Sequence, residues 1–85
     1  MEYQLNQEFL YSVDIFDIKL INAKKHVQLT LKYPDAAVFA LIVHGYSFDT
    51  MVRMMTSIAH VTQSHAEGLI KDTVFMFREN HVLES

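Results

Sequence analysis

The chain has no cysteine, which removes disulfides, thiolate metal sites and thiol catalysis together. Its two glycines stand alone, so no glycine-rich loop is available to cradle a phosphate. Basic excess is missing as well: seven Lys and Arg stand against ten Asp and Glu, for a net charge of −3. Only Lys24 and Lys25 are adjacent, so there is no basic stripe of the kind that draws a protein onto nucleic acid. The longest unbroken apolar run, residues 36–43, is far shorter than the ~20 residues that span a bilayer. The first ten residues, MEYQLNQEFL, lack the basic-then-apolar order of a signal peptide. These absences lead to the expectation of a cytoplasmic protein with neither membrane nor nucleic-acid contacts. What is present is apolar: 51% of residues, with one proline, which favours a folded chain over a disordered one. Eighty-five residues make one domain, 1–85, with a small core.

Residues 64–83 (SHAEGLIKDTVFMFRENHVL) carry the clearest periodicity. Ser64 and Glu67 read as an S-x-x-E capping box, which places a helix start at Ser64. Ala66, Leu69, Ile70, Thr73, Val74 and Phe77 recur at three- and four-residue spacing, as a single buried helix face requires. Asn80 tolerates the left-handed conformation and is the expected terminus, with Arg78 and His81 near the negative end of the helix dipole. Phe75 and Met76 fall outside the main stripe. Either the helix is buried on more than one side, or these two side chains line a groove for a partner.

Upstream, residues 1–6 are a polar start (flexible through about residue 7) that needs a strand to order it. Residues 8–14 have the aromatic and β-branched density of a short strand. In 15–21, Phe16, Ile18 and Leu20 alternate with Asp17 and Lys19, and 22–25 is a polar break of hairpin length. In 26–33, Val27, Leu29, Leu31 and Tyr33 alternate with Gln28, Thr30 and Lys32, as a half-buried antiparallel strand does. Pro34 ends strand pairing and suits a helix start. Periodicity alone leaves 35–44 open between buried helix and buried strand. Pro34, three alanines and Gly45 just past its end favour helix. Ser47 is the expected N-cap of a further helix, with Asp49 in its first turn and Phe48, Met51, Val52, Met55, Ile58 and Ala59 facing inward. The order is about three N-terminal antiparallel strands followed by a three-helix cluster, a winged-helix-like α+β fold.

The chemistry-bearing residues form no catalytic pattern. The five histidines make no i, i+4 pair that would set two metal ligands on one helix face. Ser57 and His60 are three residues apart but have no third group to orient them. Asp14 and Asp17 suit a solvated strand edge better than acid–base work. No catalytic residue, metal site or cofactor is expected, which leaves a surface for binding.

The hairpin, the run YPDAAVFALIVHGYSFDTMVRMM (33–55) and a capped helix closing on FRENHVL (77–83) together resemble the PqqD-like proteins. These are peptide chaperones, or RiPP recognition elements, of ribosomal peptide natural-product pathways. The resemblance covers about residues 15–83 and rests on apolar positions and turns. Where many members carry a Leu-Asn pair after the third strand, this chain has Tyr33-Pro34. The resemblance implies a non-enzymatic adaptor that binds the leader of a precursor peptide and presents it to a modifying enzyme, such as a radical SAM enzyme. It also allows a homodimer. It implies that the leader adds as a strand along residues 26–33, in a groove walled by the 65–79 helix. The implied peptide-binding residues are Val27, Gln28, Leu29, Thr30, Leu31 and Lys32 on the strand. On the helix they are Leu69, Lys71, Asp72, Phe75, Met76 and Arg78, with Lys32, Lys71 and Arg78 pairing leader carboxylates at the rim.

Two other readings compete. A winged-helix DNA-binding regulator shares the plan of hairpin plus helices. The last helix, however, sets Lys71 and Arg78 against Glu67, Asp72 and Glu79, a balance that repels phosphates. A structural dimerisation domain would instead use the face carrying Phe75 and Met76.

Overall fold

Alternation of apolar and polar side chains turns the first third of the chain into a sheet with one face available for burial. The computed structural model describes residues 3–84. Strands β2 (Ile18–Asn22) and β3 (Val27–Leu31) pair antiparallel, with Ile18 opposite Leu31, Leu20 opposite Leu29 and Asn22 opposite Val27. Directly opposed residues share a face, so these six form the inner side, and Lys19, Ile21, Gln28 and Thr30 form the outer side. Strand β1 (Leu10–Val13) pairs with the other side of β2, which leaves β1 and β3 as the two edges.

The turns correct three expectations. The Asp14 amide donates to the Asp17 carbonyl at 2.8 Å and the Ile15 amide to Asp14 Oδ1 at 2.8 Å. They close a two-residue turn, so β2 begins at Ile18, and Phe16 does not join Ile18 and Leu20 on the inner face. Ile15 and Phe16 stand at the hairpin tip, each 85% exposed. At the second turn the Lys25 amide donates to Oδ1 of the buried Asn22, and His26, at φ 56°, belongs to the turn. Tyr33 lies beyond the end of β3 and is exposed, so it does not continue the inner row.

Helix α1 (Asp35–Val43) starts directly after Pro34 and ends on His44 as its C-cap, which decides for helix over strand in residues 35–44. Its sequence lacks an amphipathic period because most of its circumference is covered. Val38, Phe39, Leu41 and Ile42 are buried, and Ala36, Ala37 and Val43 pack against the same core. The Phe39 ring meets Tyr11 of β1 edge-on at 5.3 Å between centroids and Phe77 of the last helix at 5.8 Å. The helix ends in a Schellman motif: the Gly45 amide donates to the Ile42 carbonyl and the Tyr46 amide to the Leu41 carbonyl, with Gly45 at φ 85°. Helix α2 (Phe48–Ala59) has Ser47 as N-cap, accepting from the Thr50 amide, with Asp49 in the first turn as expected. Met51, Val52 and Met55 are buried and Phe48 and Ala59 pack against the same core, whereas Ile58 is about half exposed and leaves the inner stripe.

Helix α3 (Gln63–Glu79) buries Ala66, Ile70, Thr73, Val74 and Phe77 and leaves Leu69 half-buried. Both of its ends differ from the expected ones. The cap is Thr62, whose hydroxyl accepts from the His65 amide at 3.2 Å, so Ser64 lies inside the first turn. At the other end Asn80 keeps φ −98°, and His81 takes the left-handed position at φ 61°. The Val82 amide donates to the Phe77 carbonyl and the His81 amide to the Arg78 carbonyl, a second Schellman motif that seats Val82 over Phe77 in the core. The tail then pairs with the start of the chain. Leu5 bridges Leu83, the Asn6 amide donates to the Val82 carbonyl, and the Glu84 amide donates to the Gln4 carbonyl. Residues 3–6 are thus held by the C-terminal tail, with Tyr3 buried. Met1 and Glu2, at the head of the start expected to be flexible, lie outside the described residues.

Two stability measurements test these ends. Thr62→Ala should cost about 1 kcal/mol in chemical denaturation, and Ser64→Ala only a few tenths, the reverse of a cap at Ser64. Thr73 Oγ1 donates to Asp35 Oδ1 at 2.7 Å and ties the start of α1 to α3. Thr73→Val should therefore lower stability by about 1.5–2 kcal/mol, since the bond lost is to a charged group in a largely buried position.

Candidate functional site

Sheet order leaves the far side of β3 without a strand neighbour. Among the described residues, no backbone hydrogen bond from outside the sheet reaches Val27–Leu31. That edge is an open ladder able to accept an extended backbone. Helix α3 is placed near both ends of that edge by one hydrogen bond and one shared cavity. Thr73 bonds Asp35 just beyond the C-terminal end of β3, and Asn80 and His81 share a cavity with Val27 at its N-terminal end. The helix residues on this side follow from the 3.6-residue turn. Leu69 and Met76 lie within roughly 60° of Thr73 and Asn80 around the helix axis. Leu69, Met76, Val27 and Leu29 are all half-buried and apolar, so each of the two elements offers a partly open apolar row on this side. Asp72 is exposed at its rim.

The cavity at the N-terminal end of β3 has a volume of about 450 Å³ and is lined by Asn6, Glu8, Phe9, Asn22, Lys25, Val27, Asn80 and His81. Its polar groups are fixed by one another. Asn22 Nδ2 donates to Glu8 at 3.4 Å, Asn6 Nδ2 donates to the His81 carbonyl at 2.9 Å, and Lys24 pairs with Glu8 at 3.6 Å. Sequence reasoning passed over this cavity because Asn22, Lys25, Asn80 and His81 carry turn and helix-end patterns. Only the fold brings those two ends together.

The twelve residues singled out in the sequence divide into separate groups. Val27 and Leu29 lie on the inner face of the edge strand, Leu69 and Met76 on the side of α3 that carries Thr73 and Asn80, and Gln28 and Thr30 along the outer face of β3. Leu31 is only 2% exposed, so its side chain belongs to the core and cannot meet a docked peptide. Lys32 lies past the strand end, and its ammonium pairs with Asp17 at 3.2 Å instead of standing free at the rim. Phe75 is rotated roughly 100° from Met76, and Lys71 and Arg78 by roughly 140–160°. These three side chains do not face β3. They line a different cleft with Tyr3, Phe48 and Val74. The alternatives for Phe75 and Met76 thus resolve differently: Met76 is half-buried against the core, and Phe75 is 64% exposed on another side of the helix.

Among the described residues, no group of three or more His, Asp or Glu side chains is placed to hold a metal ion. No described helix is long and apolar enough to cross a membrane. By sequence, the chain matches no protein-family model and no curated protein. Its fold is similar to two solved structures. One is TbiB1 in complex with the TbiA(beta) leader peptide, with TM-score 0.90 and 12% identity over 96% of this chain and 95% of that one. The other is a lasso peptide synthetase B1 complexed with the leader peptide, with TM-score 0.89 and 20% identity over 98% of both chains. The chain therefore has, over nearly its whole length, the fold of proteins solved with leader peptides bound.

Proposed function

We propose that this chain is a PqqD-like peptide-recognition element, a non-enzymatic adaptor of one domain. It binds the leader of a ribosomally made precursor peptide in the cytoplasm and presents it to a modifying enzyme. The observation that carries this reading is the open edge of β3 with the half-buried side of α3 beside it. The two similar structures, each solved with a leader peptide, support it. A leader segment added antiparallel or parallel to β3 gains main-chain hydrogen bonds that are indifferent to its sequence. Alternate side chains of that segment point inward, over Val27 and Leu29 and against Leu69 and Met76, so the favoured leader has apolar residues at every second position. The cavity beside Val27 takes the residue at one end of the segment. The outward positions run past Gln28 and Thr30, which are polar and exposed, and they contribute little selectivity.

The test is a calorimetric and amide NMR titration with the leader segment of a precursor peptide encoded beside this chain. Shifts should cluster on residues 27–31 and on the Leu69, Met76 and Asn80 side of α3. N-methylation of alternate backbone amides of the peptide should abolish binding in one phase and spare it in the other, as a single-edge ladder requires. Met76→Ala should weaken binding about tenfold while leaving the fold intact. Saturating leader that moves none of these amides would overturn the reading.

A further inference from the structure

The cleft on the other side of α3 has no part in that docking, and its chemistry differs. It has a volume of about 460 Å³ and is lined by Tyr3, Phe48, Lys71, Val74, Phe75 and Arg78. Among the described residues, the lining holds two cations and no carboxylate, in a chain whose acidic residues outnumber its basic ones. Lys71 and Arg78 are exposed, and neither forms a salt bridge with a described residue. Lys71 Nζ sits 5.8 Å from the centre of the Phe48 ring, which holds the ammonium over the mouth of the cleft. Phe75 is 64% exposed, with Lys71 and Arg78 on its cleft side and Asp72 and Glu79 on the side turned away from the cleft.

We infer that this cleft is a second docking site, and that its occupant is an acidic segment of a partner protein. Lys71 and Arg78 are seven residues apart, roughly 10 Å along the helix axis. A segment in the polyproline II conformation, with three residues per turn, matches that span with carboxylates three residues apart on one face, at roughly 3.1 Å per residue. An apolar or aromatic side chain between the carboxylates meets Phe75 and Val74 on the cleft floor. Charge complementarity selects an acidic polypeptide over a second copy of this chain, whose matching face is also cationic and would be repelled in a symmetric contact. The site is independent of the leader reading. The two faces lie on different sides of α3, so an adaptor can hold a peptide on β3 and a second protein on this cleft at the same time.

The experiment is an amide NMR titration with three probes: acetyl-GEAFEG-amide, its charge-reversed form acetyl-GKAFKG-amide, and acetyl-GEASEG-amide, which lacks the ring. The acidic aromatic probe should shift Phe48, Lys71, Phe75 and Arg78 and leave β3 unmoved. The charge-reversed and ringless probes should bind at least about tenfold more weakly. The double variant K71E/R78E should lose the acidic probe by a similar factor, as should Phe75→Ser. Both variants should keep the amide spectrum of the folded chain, because all three side chains are exposed. Equal binding of the two charge forms, or no shift in the cleft at millimolar probe, overturns the proposal. A mass that falls from dimer to monomer in Phe75→Ser overturns it in favour of a second copy. Loss of leader binding in K71E/R78E would also overturn it, by assigning this face to the leader, whereas retained leader binding separates the two sites.

Discussion

The contact on which the rest of the structure depends is the ring of Phe39, held edge-on between Tyr11 and Phe77. It joins β1, α1 and α3, three elements that the chain order keeps far apart. With Phe39 in place, α1 is wedged between sheet and helices, and its nearly all-apolar sequence becomes a requirement. A helix covered on most of its circumference has no solvent side on which to place polar residues. Thr73 and Asp35 fix the other end of the wedge, and the bond between them sets the position of α3 relative to the end of β3. The candidate peptide site depends on that packing, since the same bond fixes the helix carrying Leu69 and Met76 with respect to the segment that follows β3.

Much of this was legible in the residues. The hairpin read over 15–33, which stands trimmed to 18–31, the Ser47 cap, the helical stripe of α3 and the glycine that ends α1 each follow a local rule. The misses share one cause, competition between two locally acceptable choices. Ser64 with Glu67 satisfies the capping rule, but Thr62 caps one half-turn earlier and wins. Asn80 is the better left-handed residue by type, yet His81 takes that position because the Schellman geometry has to place Val82 over Phe77. Phe16 fits the strand alternation, yet the hairpin closes between Asp14 and Asp17 and turns it outward. The choice was made by burial at a distance, which no local window contains.

The site was legible in part for a related reason. Periodicity shows that a helix residue lies off the core stripe, but not on which flank. Phe75 and Met76 are adjacent in sequence and were equally eligible for the strand-side surface. The packing of α3 against β3 and Asp35 decided for Met76 and sent Phe75, with Lys71 and Arg78, to the opposite flank. Helix α3 is therefore a partition with a different chemistry on each side: apolar with Asp72 at the rim toward the sheet, cationic and aromatic toward the start of α2.

The brevity of β3 has a consequence for evolution. Five residues extend about 17 Å and offer room for two or three inward side chains of an added strand. An alphabet that short carries little information. A peptide that docks there is read at a few alternating letters and ignored elsewhere. The intervening letters are free to drift, so peptides quite unlike one another would suit the same edge as long as the spacing of their apolar residues survives.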